Sequence, residues 1–200
     1  MAESGRLLAS VFGLLDRTAL AGISTLQIDD MVEQFIVHDL QARPASKGQY
    51  GYGFVLNSSV NDVVCHGVPS QSKVLRNGDI VNLDITLEKN GYIADSSKTY
   101  LVGEVNPAAR RLVQTTYEAM WMGIRAVRPG ARLGDIGWAI ERHAKRNGYS
   151  VVVNIAVTAS AGRCMRNRRF CTSESRELGS PCVRVWFSRS SRCSIEADGV

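Results

Sequence analysis

Leu7, Leu8, Val11, Leu14 and Leu15 recur at three- and four-residue steps, so residues 4–20 are predicted to form an amphipathic helix closing at Gly22. A second helix is expected from Ser24-Thr25, with Gln27 in range for a capping box and Met31, Phe35 and Leu40 turned inward. The glycine and tyrosine segment 48–53 is too flexible in composition for a helix interior, and residues 55–64 read as extended. Ile80 to Glu88 then alternates polar and apolar, Asn90-Gly91 supplies a two-residue turn, and Tyr92 to Val102 returns as its partner strand. Val113, Tyr117, Met120, Ile124 and Val127 mark a third helix between Pro107 and Pro129-Gly130. A fourth runs from about Leu133 through Ile136, Ile140 and Ala144 to Gly148, followed by a strand-like Tyr149 to Val152. This order predicts an α+β fold with helices on one face of a largely antiparallel sheet.

After Val152 neither periodicity continues, and the composition changes with it. The chain of 200 residues carries a formal charge of +5. Residues 1–152 hold 16 Lys and Arg against 15 Asp and Glu, whereas residues 153–200 hold eight Arg, four acids, no Lys, eight Ser and four of the five cysteines. The odd cysteine count without a CxxC spacing argues against a disulfide scaffold. Without an apolar run near the roughly 18 residues needed to cross a bilayer, no membrane partner is expected, and the cytoplasm is the expected location.

The hairpin carries the first candidate chemistry. With Asn90-Gly91 as a two-residue turn, paired positions sum to 181, so Asp84 faces Ser97 and Asp95 lies one diagonal step away on the same face. Diagonal neighbours are roughly 7–8 Å apart at the backbone, close enough for two carboxylates to share divalent metals about 3.5–4 Å apart. On pattern alone, Asn82, Asp84, Thr86 and Glu88 equally describe an ordinary solvated strand face. His66, in a Cys-His-Gly-Val-Pro turn, is a second candidate, while His38 and His143 read as solvated helix positions.

Taken together, Asn61-Asp-Val-Val-Cys-His-Gly-Val-Pro69, Asn77-Gly-Asp-Ile-Val-Asn-Leu-Asp84 and Ile93-Ala-Asp-Ser-Ser-Lys-Thr-Tyr-Leu-Val-Gly103 resemble type I methionine aminopeptidases. Val127-Arg-Pro-Gly-Ala-Arg-Leu-Gly-Asp-Ile-Gly137 and Asn147-Gly-Tyr-Ser-Val-Val152 extend the resemblance over most of residues 4–152. It implies the N-terminal part of a pita-bread fold and a hydrolase that removes the initiator methionine from nascent chains with a small second residue. It also implies two divalent metal ions (Co, Mn, Fe, Zn or Ni) with Asp84 and Asp95 as bridging ligands, and His66 contacting the substrate and aiding catalysis. Tyr52 matches an aromatic lining the methionine pocket, although Gly53 stands where the family usually has proline. The implied partners are the N-termini of nascent polypeptides, met at the ribosome, and a monomer is expected.

The family's Gly-His-Gly-Ile-Gly-Arg, His-Glu-Glu-Pro and Thr-Ile-Glu-Pro stretches, which supply a ligand histidine, a substrate-contacting histidine and a ligand glutamate, do not occur after Val152, nor does the family's last ligand glutamate. The junctions between tail codons nevertheless allow those motifs in a shifted frame: Cys164-Met165 can encode only His or Tyr, and Met165-Arg166 only Glu or Ala. Residues 1–152 are thus expected to form the aminopeptidase portion and residues 153–200 a disordered, frameshift-derived tail. With two of the family's five ligands, weak metal binding and negligible peptidase activity are expected. Two alternatives are a non-catalytic binding module on the same fold and nucleic-acid binding through Arg166, Arg168 and Arg169 in the tail.

Overall fold

The computed structural model describes residues 1–151 and 187–189. The chain divides into two compact units, and within the described residues these are 1–110 and 111–151 with 187–189. The expectations for the remaining tail residues, including the arginine cluster and the frameshift, lie outside the described residues.

In the first unit, α1 (Ala2–Asp16) and α2 (Thr25–Gln34) precede β1 (Arg43–Pro44), β2 (Leu56–Val60), β3 (Ile80–Lys89) and β4 (Tyr92–Leu101). β3 is the central strand: β4 pairs along one edge, while β2 and the short β1 share the other, all antiparallel. Val81, Leu83, Ile85 and Leu87 of β3 are fully buried against Leu8, Val11 and Leu15 of α1 and Ile28 and Val32 of α2. The period-2 alternation thus selects one face for the core. Ser4 Oγ donates to the Tyr92 carbonyl at 2.9 Å and Lys98 pairs with Asp16 at 2.5 Å, tying both ends of α1 to β4. α1 ends at Asp16, short of the expected position 20.

The capping box of α2 forms as expected, with the Gln27 N–H donating to Ser24 Oγ at 3.2 Å and the Ser24 N–H to Gln27 Oε1 at 2.8 Å. Its inward face differs from the expectation. Ile28 and Val32 are fully buried, as is Ile36 in the π-helical turn Phe35–Asp39 that extends α2, while Met31, Phe35 and Leu40 pack at the margin. Choosing the largest side chains shifted the predicted face by one position. Thr25 and Asp29 also lie on the buried face.

The second unit holds α3 (Pro107–Ala126) from Arg111 onward, α4 (Leu133–Arg146), β5 (Tyr149–Val151) and β6 (Phe187–Arg189), the last two paired antiparallel. β6 lies in a stretch read as aperiodic, and three residues are too few for a period to register. Ile136, Ile140 and Ala144 bury as expected, against Ala119 of α3. The stripe expected to bury α3 does not: Tyr117, Met120, Ile124 and Val127 are exposed. Thr115, Ala119 and Gly123 form its buried face instead. A β-carbon on Gly123 would lie 2.7 Å from Ile140 Cδ1, so small residues, not large apolar ones, set this contact. The same contact brings Glu118 to His143, whose Nε2 lies 3.1 Å from Glu118 Oε2, so His143 is bonded and half-buried rather than solvated. Among the described residues no helix is long and apolar enough to cross a membrane.

Candidate active site

The hairpin register fixes the acids. Asn90 and Gly91 both adopt positive φ, +53° and +79°, as a tight two-residue hairpin turn requires, and every pair from Lys89↔Tyr92 to Ile80↔Leu101 follows the expected register. Asp84 therefore faces Ser97, and Asp95 faces Thr86 on the same side of the sheet. The two differ in burial: Asp95 is exposed, whereas Asp84 retains 7 % of its accessible surface. An ordinary solvated face would leave both open, so that reading fails at Asp84.

β2 supplies what closes over Asp84. Asn57 stands directly opposite it, and the Asn57 side-chain N–H donates to Asp84 Oδ2 at 3.3 Å. A buried carboxylate costs free energy unless its oxygens are bonded, and this amide meets part of that need. Sequence reasoning passed over Asn57, because no short turn sets the register of β2 on β3 across residues 61–79.

His66 sits on the loop beyond β2 and is exposed. Its φ of +55° is in the left-handed region, costly for a residue with a β-carbon and held only where neighbours impose it. Gly67 imposes it. Its carbonyl accepts the Ser58 N–H at 2.7 Å, and its own N–H donates to Ser59 Oγ at 3.2 Å. A β-carbon at Gly67 would collide with the Ser58 carbonyl oxygen and lie 2.7 Å from the carbonyl carbon. The Cys-His-Gly turn is thus moored against the outer edge of β2, and the order across this unit runs His66 loop, β2, Asp84 on β3, Asp95 on β4.

Tyr52 enters the same edge. Its hydroxyl donates to the Leu56 carbonyl at 2.8 Å, and its ring stands edge-on to Phe54 at 5.7 Å. Burial, with the nearby negative charges of Asp29 and Asp84, pushes the phenol up to about 12. Asp29 of α2 is 3 % exposed, and its Oδ1 accepts the N–H groups of Val55 and Leu56, each at 3.0 Å. Burial pushes its carboxyl up to about 6, against those two hydrogen bonds. Sequence reasoning missed Asp29 too; the available signal was an acid at a buried-face position of an amphipathic helix.

Two acids and an amide are an incomplete set for a pair of divalent ions, which needs several oxygen or imidazole donors. Among the described residues no group of three or more His, Cys, Asp or Glu side chains could hold a metal ion. The other two histidines of the chain are spent elsewhere, His143 on Glu118 and His38 on the exposed end of the α2 extension. The described residues therefore do not fit a metal pair.

The antiparallel sheet with helices packed on one face is an α+β fold, and it is the pita-bread fold of the methionine aminopeptidases of known structure that it resembles. Residues 1–173 match the profile of metallopeptidase family M24, and the chain belongs to that family of metal-dependent hydrolases. It is 39 % identical over 151 residues to a methionine aminopeptidase of Haemophilus influenzae, a match covering 75 % of this chain and 56 % of the relative. The chain thus spans just over half the length of that relative. Among solved structures it is similar to methionine aminopeptidases from Rickettsia prowazekii and Thermotoga maritima. The first has a TM-score of 0.82 at 34 % identity, covering 92 % of this chain and 74 % of the other. The second has a TM-score of 0.84 at 26 % identity, covering 93 % and 74 %.

Proposed function

We propose that this chain carries the N-terminal part of a methionine aminopeptidase site, whose activity is hydrolysis of the first peptide bond of nascent chains beginning with methionine and a small second residue. Asp84 and Asp95 are the carboxylates that face the metal centre of such an enzyme, and His66 is the residue that contacts the substrate near the scissile carbonyl. Tyr52 is the aromatic that lines the methionine pocket of such an enzyme, with its hydroxyl donating to the Leu56 carbonyl of β2. The observation that supports this reading best is the β3–β4 register, with Asp84 and Asp95 on one face and Asn57 against Asp84. Cobalt, manganese, iron, zinc and nickel all suit carboxylate and imidazole donors, and nothing in two carboxylates selects among them.

The chain of 200 residues is itself a negligible peptidase under this reading, because two acids do not bind a metal pair tightly. Purified chain is assayed with a Met-Ala-Ser peptide and Co²⁺ or Mn²⁺ beside the Haemophilus influenzae relative; methionine release at a comparable rate would refute the inactivity. Mn²⁺ titration followed by water-proton relaxation tests the ligands separately. Weak binding that disappears in both Asp84→Asn and Asp95→Asn supports the assignment, and binding unchanged in both overturns it.

A further inference from the structure

Within its unit, β2 has β3 on one side and no strand on the other among the described residues, so half of its backbone groups depend on loops and side chains. At Leu56 side chains satisfy both outward groups: Asp29 accepts its N–H and Tyr52 donates to its carbonyl. Asp29 also takes the Val55 N–H, one residue before the strand. At Ser58 the outward N–H goes to Gly67, the mooring of the His66 loop. Between these two fixtures lies Asn57, facing Asp84. A slip of β2 by one residue would turn Asn57 away from Asp84 and take the Gly67 contact with it.

The structure assigns Asp29 as a positioning residue of the site: from the outer edge it holds β2 in the register that sets Asn57 against Asp84 and gives the His66 loop its docking place. This rests on reading Asp84, Asp95 and His66 as the site. Asp29 touches none of the reacting groups and acts through the Val55 and Leu56 amides. A carboxyl suits this task better than a hydrophobe, because one oxygen with two lone pairs satisfies two adjacent buried donors from a neighbouring element. The charged groups acting on it are Glu33 and Asp30 on its own helix, and the neutral Tyr52 phenol from the loop lies near both Asp29 and Asp84 of β3. Lys47 is held by Glu33 at 2.5 Å.

The test is amide hydrogen exchange by NMR on the full 200-residue chain as wild type, Asp29→Ala and Asp29→Asn. Loss of the acceptor in Asp29→Ala is expected to speed exchange at Val55, Leu56 and Ser58 by about tenfold or more, and to shift the Asn57 side-chain amide resonances, with the β3–β4 amides unchanged. Asparagine keeps a carbonyl oxygen in place and is expected to restore both. Unchanged protection at 55–58 in Asp29→Ala overturns the assignment, and so does uniform loosening of the whole unit. Should Asp29→Ala not fold, the comparison of wild type with Asp29→Asn decides: protection factors at Val55 and Leu56 vary with pH between 4 and 8 in the wild type and stay flat in the asparagine variant. Identical profiles overturn the assignment. None of these readouts involves metal or turnover, so their failure is distinct from failure of the aminopeptidase reading.

Discussion

Gly67→Ala attacks the mooring of the His66 loop directly. The added β-carbon meets the Ser58 carbonyl group and approaches Ser59 Cα to 2.9 Å, and all of these are backbone atoms of a paired strand, so no side-chain rotation relieves the clash. Forcing the methyl in costs about 1–3 kcal/mol by overpacking. The alternative is to release the loop, which gives up the Ser58 N–H to Gly67 carbonyl bond and the Gly67 N–H to Ser59 bond at about 1 kcal/mol each. Both routes cost about 2 kcal/mol, so destabilisation of that size is expected with β3–β4 intact, and the share that takes the second route frees the Ser58 amide. Urea denaturation of the full chain measures the first and exchange at the Ser58 amide the second. Gly53→Ala is the control: nothing lies within 4 Å of its β-carbon position, and the change should stay within about 0.5 kcal/mol. A Gly67→Ala protein as stable as the wild type, with the Ser58 amide equally protected, would refute the mooring.

Asp29 also makes a stability prediction with a definite sign. Its carboxyl is raised in the folded chain from 3.8 to about 6, so the stability it contributes is complete below about pH 4 and is lost as pH rises through 6. Asp29→Asn should therefore match the wild type at pH 4 and exceed it by up to about 3 kcal/mol above pH 7 in urea denaturation; a gap that widens toward acid instead would contradict this. Ser58 makes another. Its hydroxyl oxygen is buried without a hydrogen-bond partner, on a residue 4 % exposed and opposite Leu83. Ser58→Ala should raise stability by about 1 kcal/mol, seen as a higher melting temperature, and a clear fall would show that the hydroxyl is bonded after all.

Elements fixed by local rules were legible in the sequence. A two-residue Asn90-Gly91 turn sets the register that puts Asp84 and Asp95 on one face, and the strands pair in that register. α4 was legible because a single apolar stripe coincides with its buried face. α3 was not, because it carries two stripes. The large one, Tyr117, Met120 and Ile124, dominated the pattern, while close approach at Ala119 and Gly123 depends on small volume that hydrophobicity does not register. His143 was misread for the same reason, since its bond to Glu118 follows from that contact.

The polar residues of the proposed site divide along another line. Asp84, Asp95 and His66 were candidates by residue type and took their proposed roles from the family resemblance, while alternation could not say whether Asp84 was solvated or shut in. That depends on β2, a strand joined to β3 across a long connection, and on Asn57 within it. Asp29 was hidden more deeply: an acid in a helix reads as surface until the unpaired amides of Val55 and Leu56 are known to need an acceptor. The residues proposed to do chemistry carry a signature of type and spacing. Those that hold them in place are defined by backbone groups left over when the sheet is assembled, and only the assembled sheet reveals which groups those are.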